Sequence, residues 1–145
     1  AQDFEMELGN AALHDPAFAS SGRQFCEEWI AQFPGDEDLI QRNFRRALGA
    51  FLLQLGQGKE ALAVLEETVR RWPDDIWGYV ALAEAHAQIR PPRQSAVPLD
   101  LDRAVEYLDR ASAVAAGRED REAVAQRLAE VRKRAEEKAL DRGGR

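Results

Sequence analysis

The tightest constraint on this chain is a spacing. Leu48-Gly49, Leu52, Ala61, Leu65, Thr68 and Pro73 mark out two helices joined by a short turn, the pattern of a helical repeat with a period of about 34 residues. Gly49 and Ala61 are small where the two helices must cross, Leu48, Leu52 and Leu65 fill the space between them, and Pro73 ends the second helix because proline has no amide hydrogen to continue it. The frame recurs downstream as Tyr79, Leu82, Ala83 and His86, followed by Ala104, Leu108 and Ala111 after nine extra residues. Upstream it fits more loosely, through Gly9, Asn10, Leu13, Gly22, Cys26, Trp29 and Pro34, with Asn10 standing where a small residue is wanted.

Apolar periodicity and breakers place seven helices, at about 2–14, 17–33, 37–55, 59–72, 76–89, 100–116 and 118–141. Asp15-Pro16 separates the first two, and Asp36 is the expected cap of the third. Gly56 is suited to the left-handed residue after the third helix. Asp74 or Asp75 is expected to cap the fifth. Residues 90–98 hold three prolines and read as a loop insertion, which accounts for the nine extra residues. The last helix has one thin apolar stripe, Val124, Leu128, Val131 and Ala135, suited to a helix covered on one side. No segment alternates as a strand does, so the fold class is all-α.

A chain of 145 residues with 45% apolar side chains can bury a core as one domain. Residues 1–41 carry nine acids against one base, and residues 118–145 nine bases against seven acids. The acidic first third lacks the basic footprint of a nucleic-acid binder and suits a cationic peptide, or is a solvated face. Cys26 is the single cysteine, so no disulfide forms within the chain, as expected in a reducing compartment. The acidic opening, Asp3, Glu5 and Glu7, does not read as a secretion signal. No apolar run is long enough to span a membrane. These features point to the cytoplasm. Arginine outnumbers lysine seventeen to three, the bias of a GC-rich bacterial coding sequence.

The repeat at Leu48–Pro73 resembles the tetratricopeptide repeat family at every marked spacing. The resemblance implies a right-handed solenoid of helical hairpins. Three repeats would occupy about 3–36, 37–75 and 76–117, with a capping helix at 118–141 closing the open end. The runs at 3–8, 25–28, 43–47 and 72–79 are also similar to bacterial repeat proteins that often carry a C-terminal Cys-rich zinc motif. That motif is missing from this sequence, so zinc binding does not carry over.

In such a stack the first helix of each pair lines a concave face. By this spacing the face would show Glu7 and His14, then Asn43, Arg46 and Gln54, then Trp77, Glu84 and Gln88. A tryptophan among amides and mixed charges makes a peptide-binding surface, though Trp77 could instead pack under the proline loop. The family's carboxylate grip needs lysines, asparagines and an arginine where this chain has Glu7, Ala11, Ala47, Trp77 and Ala81, so that mode is not implied. Arg42, Arg45 and Arg46 share part of one helix surface and could hold an acidic peptide or pair with Asp38.

Chemistry finds less support. His14, His86 and Cys26 lie on different segments without metal-ligand spacing, and neither histidine is placed beside the thiol by sequence. Leu55-Gly56-Gln57-Gly58-Lys59 is a tight turn, too short for a phosphate loop. Adjacent acid pairs point apart on a helix. The expected function is therefore binding of another protein or peptide, without metal or cofactor. Self-association is the alternative, and an enzyme with a site across repeats the remote one.

Overall fold

The computed structural model describes residues 16–32, 38–89 and 97–143. Among them are six helices: α1 (Pro16–Gln32), α2 (Asp38–Gln54), α3 (Gly58–Arg71), α4 (Ile76–Ala87), α5 (Leu101–Val114) and α6 (Arg118–Gly143). The all-α expectation holds, with six helices described in place of seven. The expected first helix at 2–14, the Asp36 cap and most of the proline loop lie outside the described residues.

The helix ends follow local chemistry. Pro16 stands first in α1, where its missing amide hydrogen costs nothing. Gly56 adopts φ +75° after α2. Asp75, not Asp74, caps α4, its Oδ1 accepting from the Trp77 amide at 3.3 Å. Asp100 lies just outside α5 as its cap, 3.0 Å from the Arg103 amide. One end departs from expectation: α4 stops at Ala87 because Gln88 is left-handed, φ 53°. Its side-chain amide donates to the Val97 carbonyl at 3.0 Å, which anchors the far side of the insertion.

Small residues set the spacing of successive helices. A Cβ added to Gly22 of α1 would stand 2.5 Å from the Phe51 ring of α2. At Gly49 of α2 it would meet Leu65 of α3 at 2.8 Å, and at Gly78 of α4 it would meet Val69 of α3 at 2.7 Å. Ala61, Ala83 and Ala104 are all buried. Gly49 and Ala61 stand at the crossing their spacing predicts, and the Gly78 approach adds a further one between α3 and α4.

Two apolar clusters result. One joins Ala19 and Cys26 of α1 to Phe44, Leu48, Phe51 and Leu52 of α2 and Ala61 of α3. The Trp29 indole stacks on the Phe44 ring at 4.3 Å between centroids. The other joins Leu65 and Val69 of α3 to α4, α5 and α6, ending on Val124 and Val131. This is the chain of neighbour contacts expected of a repeat stack.

The layers differ. The backbone of α2 comes within 8 Å of α4, and that of α4 within 8 Å of α6, whereas α1, α3 and α5 nowhere approach one another so closely. A stack whose first helices touch while its second helices splay must bend. The α2–α4–α6 layer is on the inside of that bend.

Candidate inner-face binding site

The inner layer places the expected site residues unequally. Glu7 and His14 lie outside the described residues. Asn43 is 6% exposed and its Oδ1 accepts from the guanidinium of Arg46 one turn along α2. Arg46 and Gln54 are half-buried. Trp77 is 36% exposed. Glu84 pairs with Arg127 of α6 at 3.4 Å, both side chains less than a fifth exposed. Gln88 is committed to the Val97 carbonyl. Arg134 of α6 donates to the Ala87 carbonyl at 3.0 Å, satisfying an end of α4.

The six described residues therefore divide. α6 lies across the C-terminal end of α4 and engages Glu84 there, whereas the Trp77 end of α4 and the adjoining surface of α2 remain accessible. That accessible part is drawn together at the start of α4. Arg42 of α2 reaches Asp75 at 3.7 Å, and the same carboxylate caps α4 at the Trp77 amide. Arg46 follows Arg42 by one helical turn. A half-buried guanidinium and an exposed indole thus stand on adjacent helices of one layer. Such a surface can take an apolar side chain against the indole and a hydrogen-bonding group at the guanidinium.

The arginines of α2 do more than the sequence suggested. Arg42 pairs with Asp75. Arg45 extends over the Trp72 ring, its guanidinium carbon 5.9 Å from the centroid, and Arg71 lies over the same ring at 4.7 Å. The sequence carried no signal for this meeting, because it joins the middle of α2 to the end of α3.

His86 faces the other way. It stacks on Tyr107 of α5 at 5.8 Å, in a group where Arg110 lies over Tyr79 and Tyr107 and Arg103 over Tyr107. Its Nε2 is buried without a hydrogen bond. Burial lowers its pKa below the ordinary 6.5, Asp100 and Glu66 raise it, and Arg103 adds to the lowering. Between the lowered folded value and 6.5 the unfolded chain binds more protons, so stability rises with pH there. We expect unfolding midpoints to fall as pH drops through the ordinary histidine range and to level off below the folded value. His86→Phe should flatten that component in urea titrations across this range, and an unchanged pH dependence would count against the buried neutral imidazole.

Among the described residues no group of three or more His, Cys, Asp or Glu is arranged to hold a metal. Cys26 is buried in the α1–α2 core, while His86 belongs to the α4–α5 packing. No described helix is long and apolar enough to cross a membrane.

The pattern of the tetratricopeptide repeat family matches residues 42–85. The chain carries a tetratricopeptide repeat. The match takes in α2 from Arg42, all of α3 and α4 as far as Ala85, the stretch that holds Trp72, Trp77 and the α2 arginines. Neither the curated proteins nor the solved structures contain a match to the chain. Tetratricopeptide repeats generally mediate protein–protein interactions and are typically not catalytic.

Proposed function

We propose that this chain is a cytoplasmic bacterial interaction module that holds a peptide segment of another protein on the inner face of the α2–α4 layer. This reading takes 3–36 and 76–117 as repeats flanking 37–75, with α6 as the cap. The observation that carries it is the exposed Trp77 indole on the inner layer, beside the α2 surface that bears Arg46. A preformed concave surface with a large aromatic anchor loses little entropy on binding, and such anchors dominate interface energies. Asn43 is bonded to Arg46, while Glu84 and Gln88 tie down the C-terminal end of α4 by their bonds to Arg127 and Val97.

The test is Trp77→Ala combined with Arg46→Glu. Proteins captured by the wild-type chain should be lost from this variant and retained by Arg132→Glu on the exposed side of α6, with helical content equal by circular dichroism. Retention of every partner by the double variant would refute the groove.

Self-association is supported by one feature of α6. From Glu136 to Asp141 every residue of α6 is exposed, and Leu140 is 73% exposed. Light scattering over a dilution series, with Leu140→Glu as comparison, separates the readings. A monomer at all concentrations removes the second.

A further inference from the structure

The Arg45–Trp72–Arg71 arrangement puts two cations on one ring. They repel each other, and burial together with Arg71 lowers the Arg45 pKa, with Glu67 acting in the opposite direction. Glu67 is itself bound to Arg70 at 2.7 Å, and Asp75 is held by Arg42. Asp74 is the remaining acid of this connection and is exposed. The Nε of Arg45 is buried and makes no hydrogen bond. Arg45 and Arg71 thus share one ring at this edge of the repeat, while Glu67 and Asp75 are each paired with another arginine, in a chain whose net charge is −6.

A guanidinium lying over an aromatic ring by its cationic carbon still carries several N–H donors, and a carboxylate accepts from such groups in charge-assisted hydrogen bonds. An anion between Arg45 and Arg71 would also relieve their repulsion. The acidic balance of residues 1–41 favours a cationic partner in bulk, but charges act over a Debye length of about 8 Å at physiological salt. The groups touching this edge therefore decide its preference.

We propose that this edge is the docking site for an acidic segment of another protein, its carboxylates pairing with Arg45 and Arg71 beside Trp72 and the chain continuing to Trp77. The proposal rests on the groove reading and specifies the chemistry of its ligand.

The probes are four fluorescein-labelled peptides of equal length, alternating leucine with glutamate, lysine, serine or phosphoserine, followed by anisotropy at low and physiological salt. The glutamate peptide should bind, weaken as salt rises, and bind at least about tenfold more weakly to Arg45→Glu/Arg71→Glu, since like charges at an interface repel strongly. Arg71→Glu alone, at an exposed position, should lose about threefold, which keeps the test valid should the double variant unfold. The lysine and serine peptides should not bind. Equal binding of the glutamate and lysine peptides, no binding of the glutamate peptide, or an affinity unchanged in Arg71→Glu would overturn the acidic docking edge, as would binding only of a phosphoserine version. If Trp77→Ala leaves the glutamate affinity intact while Arg71→Glu weakens it, the edge stands and the groove reading fails. If Trp77→Ala weakens peptide binding while Arg71→Glu does not, the groove stands and the acidic edge fails.

Discussion

Replacing Phe51 with alanine is expected to lower the unfolding free energy by about 3–5 kcal/mol, the usual loss when a packed core aromatic is emptied. The ring is 2% exposed and lies between α1 and α2, so close to Gly22 that a β-carbon there would stand 2.5 Å from it. Ala19, Cys26, Phe44 and Leu48 belong to the same buried cluster, and rigid helices cannot close the void fully. A domain of ordinary stability has about 5–15 kcal/mol in total, so the variant loses a large share of it and unfolds at a much lower urea concentration. In a stack held by neighbour contacts the damage should be local. Amide exchange should accelerate most in α1 and α2, and least in α5. Urea midpoints followed by circular dichroism measure the total. A loss below about 1 kcal/mol would show that the ring is not clamped between the two helices.

The second large effect is expected from overfilling. Gly49→Val places a β-carbon 2.8 Å from Cγ and Cδ2 of Leu65, a residue 1% exposed at the α2–α3 crossing. Removing glycine from a helix interior returns part of about 1 kcal/mol, but overpacking a tight core costs about 1–3 kcal/mol. The crossing should dominate, and the variant should be destabilised. Leu65→Ala alone should also destabilise, by about 2–5 kcal/mol. Combined, the valine methyls enter the space that the leucine vacates. The double variant should therefore be more stable than the sum of the two losses predicts, by about 1 kcal/mol or more. Strict additivity in the double-mutant cycle would mean that these side chains do not meet.

Gly49 and Leu65 also show how far a sequence can be read. Their spacing, together with Ala61 and Pro73, foretold a helical hairpin and its crossing point, because a 34-residue period leaves few ways to place small and large side chains. The family match at residues 42–85 falls on the same unit. Helix ends were legible for the same local reason: caps and breakers act within a turn or two. The end of α4 at Gln88 was not legible, because the side chain of this left-handed residue is bonded to a carbonyl nine positions away, across the insertion.

The inner face was harder. Periodicity assigned Asn43, Glu84 and Gln88 to it, but could not say that Asn43 is buried, that α6 engages Glu84, or that Gln88 is bonded across a loop. Each of these depends on what a neighbouring helix brings. Arg45 and Trp72 meet for the same reason, since their approach is fixed by how α3 lies against α2.

The sequence alone determined the helices, the hairpin and its small-residue crossings, because these follow from interactions a few residues apart and from a repeated period. Only the tertiary structure decided which inner-face side chains stay accessible and which cations share an aromatic ring. Those outcomes depend on the distance between helices far apart in the chain, and that distance is set by the packing of the whole stack.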